Sequence, residues 1–333
     1  MMVYYLLTEQ CNLNCSHCIR GEHKPVSAID YKTVIDRLTE YYDSFCLVIT
    51  GGEPTLSPVF KEVIDYALLK KVRNILIVSN GAYSNAKTLF ADYADNNRVS
   101  VQFSIDGNEE KHDYIRGEGA FKRTIDTIEQ LNDIGINSMI SSVVTKDNIA
   151  SFSELAPVLE KLDVIKWHIN PVLPFGRAKD ISEYIDTDTW NKFVDSMKQI
   201  SSLRLSIHKM YDFSVLEKMS DDELKKYEKV FSQSSNCMSG KNKLYIYPDG
   251  TVYGCTCLLK FPFGNIYDSP VKDILDTENA RKIIDYKINE ESRCADCRYV
   301  SLCKGGCIGM SVSYFGKLGF GDIRCPLLKE KML

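Results

Sequence analysis

Twelve cysteines in a chain of 333 residues are the first feature with chemical consequence. Cys11, Cys15 and Cys18 stand at C-x3-C-x2-C spacing, and Cys46 stands alone. Cys237, Cys255, Cys257, Cys294, Cys297, Cys303, Cys307 and Cys325 all fall in the last third. The N-terminus lacks the basic and apolar segments of an export signal, which places the chain in the reducing cytoplasm and argues for metal chemistry over disulfides. Three thiolates can hold three irons of a [4Fe–4S] cube and leave the fourth iron open to an exchangeable ligand. The alternative is a structural zinc ion, with His17 or His23 as the fourth ligand. The C-terminal run Cys294-x2-Cys297-x5-Cys303-x3-Cys307, with Cys325 beyond it and Cys237 and Gly250-x4-Cys255 before it, is a second dense thiol array, for which zinc is again the alternative.

Other residues carry weaker signals. In GGEP (Gly51–Pro54), two glycines let backbone approach a ligand closely and leave N–H and C=O groups free for a polar head group. Cys46, inside FCLVIT, reads as a buried structural cysteine. His168 reads as a packed histidine, and the nineteen tyrosines as amphipathic packing residues, not a radical chain.

Periodic apolar residues define the elements that must position these groups. Strands are expected at Val3–Thr8, Phe45–Thr50, Asn74–Ser79, Val99–Ile105, Asn137–Val144 and Val164–Asn170. Helices are expected at Asp30–Tyr42, Pro58–Lys70, Asn85–Ala94, Phe121–Ile134, Ser151–Leu162 and Thr187–Ile200. Six strand–helix units imply an α/β fold with a parallel sheet and right-handed crossovers, a partial (β/α)6 TIM-like barrel with its chemistry at the C-terminal strand ends. CNLNCSHC, GGEP, SNG and SIDG follow strands one to four and fall at those ends. Residues 1–207 form this unit, 208–236 a charged helical bridge with a helix at Lys218–Lys229, and 237–333 a small, irregular, cysteine-rich unit. In that unit Asp249-Gly250 turns a hairpin and Asn279–Tyr286 forms a helix. It has too little regular structure to bury much core by itself, so metal ligation would supply its stability. A net charge of −4 gives no footprint for nucleic acid, and no apolar stretch reaches the length of a membrane span.

CNLNCSHC and GGEP together resemble the radical S-adenosylmethionine (SAM) superfamily, with His17 at the usually aromatic position before the third cysteine. The resemblance covers most of the first 210 residues. It implies that Cys11, Cys15 and Cys18 bind a catalytic [4Fe–4S] cluster whose fourth iron is chelated by the amino and carboxylate groups of SAM. Gly51, Gly52, Glu53 and Pro54 match the loop for the SAM amino group. Ser79 and Asn80 match residues that face SAM after strand three. Ser104 and Asp106 match the strand-four motif, and Arg116 is a candidate carboxylate partner. Their structural alternatives are a turn at Asn80-Gly81, a cap at Asp106 and an ion pair at Arg116. PFGRA (Pro174–Ala178) resembles a segment that follows strand six, with Arg177 toward the ligand.

The C-terminal cysteines resemble the SPASM-type auxiliary-cluster domain, whose seven cysteines serve two further iron–sulfur clusters of expected [4Fe–4S] type. One would take Cys294, Cys297, Cys303 and Cys325. The other would take Cys237, Cys255 and Cys307 with a variable fourth ligand. Cys257 lies outside the seven-cysteine pattern and is read as that ligand, as a hydrogen-atom donor to substrate, or as packing.

The resemblance implies an enzyme that reductively cleaves SAM to a 5′-deoxyadenosyl radical and abstracts hydrogen from an unactivated carbon. Its substrate is expected to be a ribosomally made peptide, modified by crosslinking, thioether formation or epimerisation. The alternatives are a small-molecule substrate, sulfatase-maturase-like oxidation of serine or cysteine, and a zinc-binding module without enzymatic activity. Thr256 stands where sulfatase-maturing members carry Asp, which disfavours that activity. Strand one opens the sequence, so a preceding leader-binding domain is not expected, and a leader would dock on a separate protein or on the enzyme's own surface. Electrons would come from a donor such as a flavodoxin or ferredoxin.

Overall fold

A computed structural model describes residues 1–21, 29–70, 72–83, 85–180, 185–231 and 237–329. His23 and the last residues of the proposed bridge, 232–236, lie outside them, as does the extreme C-terminus. Strands β1 (Met2–Leu6), β2 (Phe45–Thr50), β3 (Val72–Ser79), β4 (Val99–Ser104), β5 (Asn137–Val144), β6 (Val164–Pro171) and a short β7 (Leu205–Ser206) pair in chain order, all parallel. Helices α1 (Tyr31–Tyr41), α2 (Phe60–Leu69), α3 (Ala86–Phe90), α4 (Glu109–Arg116), α5 (Ala120–Asn132), α6 (Phe152–Leu159) and α7 (Thr187–Ile200) fill the connections.

Alternation along β4 separates the two faces of the sheet. Val99, Val101 and Phe103 are buried in a core with Ile128 and Leu131 of α5, while Ser100, Gln102 and Ser104 on the other face are half-buried. Helix α5 presents Thr124, Thr127, Ile128 and Leu131 inward, the three-and-four spacing of one helical face. Residues from the ends of β2, β3, β4, β5 and β6, with the loop after β1, line one cavity. Flat strands at about 4.8 Å spacing would spread those ends across roughly 24 Å, so the sheet curls into a partial barrel.

One helix of the barrel was not expected. Helix α4, EEKHDYIR, buries only His112, Ile115 and Arg116, so its sequence has no apolar stripe to betray it. Its start is fixed by Asn108, whose side-chain oxygen accepts from Lys111 N at 3.1 Å.

The C-terminal third departs from the expectation that it buries little core. After α8 (Asp221–Phe231), the strands β8 (Lys243–Ile246), β9 (Thr251–Tyr253) and β10 (Gly264–Asn265) extend the barrel sheet, because β8 pairs in parallel with β1. Leu244, Ile246, Val252 and Phe263 belong to the same apolar core as the barrel strands. The helices α9 (Val271–Asp276), α10 (Glu278–Ile284), α11 (Val300–Cys303), α12 (Ile308–Phe315) and α13 (Pro326–Lys329) complete this region. The segment before α8 packs on it through Phe213, stacked on Tyr299 with ring centroids 4.7 Å apart. Among the described residues no helix is long and apolar enough to cross a membrane.

Candidate functional site

The loop after β1 carries Cys11, Cys15 and Cys18, and all three line a cavity of about 380 Å³ at the C-terminal end of the barrel. Burial pushes the thiols of Cys11 and Cys15 above their ordinary pKa, so their ionised forms need a cation beside them. The loop is fixed by close backbone packing. Gly52 N donates to Thr8 O at 2.8 Å and Glu53 N to Gln10 O at 2.7 Å. A Cβ on Gly51 would stand 2.3 Å from Thr8 O, and one on Gly52 2.1 Å from Gln10 O. The two glycines are therefore required by the cysteine loop itself as well as lining the cavity.

Glu53 does not line that cavity. It is fully buried, and its carboxylate accepts from Asn80 N at 2.8 Å, Ser79 Oγ at 3.0 Å and Thr55 Oγ1 at 2.8 Å. Burial raises its pKa against the pull of these hydrogen bonds. Glu53 thus ties the end of β2 to the end of β3, and Pro54 starts the short 3-10 turn beside it. Ser79 and Asn80 do line the cavity. Asn80 Nδ2 donates to Asn12 Oδ1 at 2.8 Å and lies 3.7 Å from Cys11 Sγ. From α5, Thr124 Oγ1 donates to Asn80 O and Thr127 Oγ1 to Gly81 O, each at 2.8 Å.

Ser104 and Arg116 also face the cavity, whereas Asp106 sits behind it, fully buried. Asp106 Oδ2 accepts from Arg116 Nε and from His17 Nε2, both at 2.7 Å, and Oδ1 accepts from Val143 N at 2.7 Å. Burial works against the Asp106 charge, but Arg116 and His17 hold its pKa far below the usual carboxylate range. Burial likewise opposes the charge of Arg116, and Asp106 and Cys15 more than offset it. Arg116 Nη1 stands 3.8 Å from Cys15 Sγ. A buried carboxylate therefore aims one guanidinium at the thiol loop.

Arg177 also braces this loop. Its backbone N–H donates to Cys18 O at 2.9 Å and its Nη1 to Cys15 O at 3.2 Å. Gly176 lies against the same backbone, where a Cβ would come 2.3 Å from Cys18 O. His168 shares the inner sheet face with Ser141, outside the cavity lining. Its pKa is lowered to about 4 by burial and by Lys166 and His208. Cys46, expected to be buried, is partly exposed.

The C-terminal thiols form two groups. Cys294, Cys297, Cys303 and Cys325 line one small cavity with Tyr211 and Asp322. Cys237, Cys255 and Cys307 lie around Lys243, with Cys237 Sγ 3.1 Å from Ser239 Oγ, and Cys257 hydrogen-bonds to Cys255. Asp322 bridges the groups: it lines the first cavity, its Oδ2 accepts from Cys307 N at 3.3 Å, and it is paired with Arg324 at 2.7 Å. None of the twelve cysteines forms a disulfide. Among the described residues, no three His, Cys, Asp or Glu side chains converge closely enough to hold a single metal ion.

Residues 5–156 match the radical SAM superfamily, and residues 237–298 match SPASM, an iron–sulfur cluster-binding domain. The chain therefore carries a radical SAM domain followed by a SPASM domain. It is 26% identical to the AdoMet-dependent heme synthase of Nitratidesulfovibrio vulgaris, over 92% of this chain and 86% of that protein. It is 29% identical to the mycofactocin maturase MftC of Mycolicibacterium smegmatis, over 93% of this chain and 78% of that protein. The crystal structure of Streptococcus suis SuiB bound to S-adenosylmethionine superposes with a TM-score of 0.79 at 17% identity, covering 98% of this chain and 77% of SuiB. The chain is thus a radical SAM enzyme with a SPASM domain, and its two domains indicate SAM and iron–sulfur clusters as cofactors.

The residues present fit such cofactors. The donors are thiols, the usual ligands of iron–sulfur clusters, and no described carboxylate lines the radical SAM cavity, whose ionisable side chains besides the thiols are His17, Arg20 and Arg116. Several contributors were missed in the sequence. Arg20, Thr50 and Asn170 line the cavity, and Lys243 and Asp322 stand beside the auxiliary thiols. Strand alternation could have placed Asn170 beside His168 on the inner face, but nothing local marks the others.

Proposed function

We propose that this radical SAM enzyme modifies a ribosomally made peptide at an unactivated carbon. When bound, the cluster and SAM supply one-electron reductive cleavage and hydrogen-atom abstraction, and the protein supplies binding, orientation and exclusion of water. In this reading Cys11, Cys15 and Cys18 hold the cluster, and Arg116, aimed by Asp106, neutralises the methionine carboxylate. Gly51, Gly52, Ser79, Asn80 and Ser104 offer polar groups to the rest of SAM. Leu13, Ile19, Val78, Val143, Val172 and Leu173 form apolar walls that keep water from the reacting carbon. The C-terminal cysteines hold auxiliary clusters, and a flavodoxin or ferredoxin delivers the electrons. Glu53 and Asp106 act as positioning residues behind the wall.

The observation that carries the reading is the cavity where the cysteine loop meets the ends of β2 to β6, next to a half-buried inner sheet face. Similarity to the mycofactocin maturase along nearly the whole chain supports a peptide substrate. Similarity to heme synthases favours a second reading, a small-molecule substrate. Co-expression with a short precursor peptide encoded beside the enzyme, followed by mass spectrometry, separates them. Loss of two hydrogens from the peptide, or solvent deuterium uptake without net mass change in water, supports peptide maturation. An unmodified peptide from an enzyme that still cleaves SAM supports the small molecule.

A further inference from the structure

The sequence left three roles open for Cys257, and the structure separates them. The chain turns tightly after β9, with Leu258 N donating to Cys255 O at 3.0 Å. This turn carries the Cys257 side chain back to that of Cys255, with which it hydrogen-bonds, and toward Cys307. Cys307 is the N-cap of α12, and two residues on, Gly309 packs against Cys257. A Cβ on Gly309 would come 2.6 Å from Cys257 Cβ, so only glycine lets Cys257 occupy this place. Cys257 is 9% exposed and is not in the wall of the radical SAM cavity. A hydrogen-atom donor would have to face that cavity. A packing residue has no need of a hydrogen bond to one proposed ligand with a second proposed ligand nearby.

We infer that Cys257 is the fourth protein ligand of the auxiliary site formed with Cys237, Cys255 and Cys307, which closes that site to substrate. The inference rests on the reading that this domain holds iron–sulfur clusters, because a cube with four thiolates has no vacant iron. Lys243, whose neighbours include Cys237, Cys255 and Cys307, brings a positive charge to offset the anionic set.

The test uses the full chain, loaded anaerobically, in a background where Cys11, Cys15 and Cys18 are changed to Ala so that no N-terminal cluster interferes. Cyanide is the probe for an open iron, read by the EPR spectrum of the reduced protein, with iron counted per chain. The parent should show no cyanide effect. Cys257→Ala should either lose about four irons per chain or gain a cyanide-sensitive spectrum, and Cys257→Ser should shift the spectrum without cyanide. Cys46→Ala, outside both thiol groups, should change nothing. A cyanide effect in the parent would overturn the inference, as would a Cys257→Ala protein with full iron and an unmoved spectrum. If Cys257→Ala does not fold, the parent and the serine variant still decide. Should the triple-alanine background keep all its iron relative to wild type, the N-terminal cluster reading fails instead.

Discussion

Removing the charge of Asp106 while keeping its shape tests how the site is held. In Asp106→Asn, one side-chain oxygen can still accept from Val143 N, now at 2.7 Å from Oδ1. The other position presents an amide where the carboxylate oxygen accepts from Arg116 Nε and His17 Nε2. Arg116 is 9% exposed and Asp106 is 0% exposed, so the guanidinium is left in a nearly dry site without its counter-charge. Breaking one partner of such a buried pair costs about 3–5 kcal/mol. Urea unfolding of the cluster-free protein should show that loss as a lower midpoint at unchanged slope. Because the folded pKa of Asp106 is depressed, its contribution is complete above about pH 4 and fades only as the pH falls through the folded value. The loss should therefore be equal in neutral and mildly alkaline buffer. Asp126→Ala, which removes an exposed pair with Lys122, is the control and should leave the midpoint in place. A loss below about 1 kcal/mol for Asp106→Asn would refute the claim that Asp106 and Arg116 form a desolvated, interdependent pair.

Two further outcomes follow from the same geometry. His112 is kept neutral, its pKa lowered to about 4 first by burial and then by Arg116, while its Nδ1 accepts from Asp106 N at 3.1 Å. The unfolded chain then binds more protons below about pH 6.5, so stability should fall with pH there, by up to about 3 kcal/mol for this group. His112→Asn, which keeps an acceptor but does not titrate, should flatten the slope in unfolding titrations, leaving the share of His168. For Lys243, which forms no ion pair with a carboxylate among the described residues, Lys243→Met should lower the midpoint potential of the auxiliary site in EPR-monitored redox titration. Lys243→Arg should retain it.

The elements legible in the sequence are those with strong local periodicity. The expected bounds of Phe45–Thr50, Asn137–Val144 and Thr187–Ile200 are the observed ones, because buried runs and one-sided helices announce themselves. The grouping of the cysteines was legible through spacing, since Cys11, Cys15 and Cys18 line one cavity and Cys294, Cys297, Cys303 and Cys325 another. Helix α4 was not, because its anchoring is polar and its apolar face is nearly absent. The pairing of β8 with β1 joins residues more than two hundred positions apart, which no local pattern encodes. Glu53 and Asp106 were assigned to the ligand side by motif, yet both carboxylates turn into the protein to tie neighbouring strand ends. Alternation fixes faces within a strand and stops at its end, where both residues lie.

The central claim is that Cys11, Cys15 and Cys18 hold a cluster with one iron left for SAM. The most direct measurement compares wild type with the Cys11→Ala, Cys15→Ala, Cys18→Ala protein for iron content and for dithionite-driven formation of 5′-deoxyadenosine from SAM. The triple variant is predicted to lose about four irons per chain and all 5′-deoxyadenosine formation while keeping its C-terminal iron. Retention of SAM cleavage without those three thiols would contradict the account.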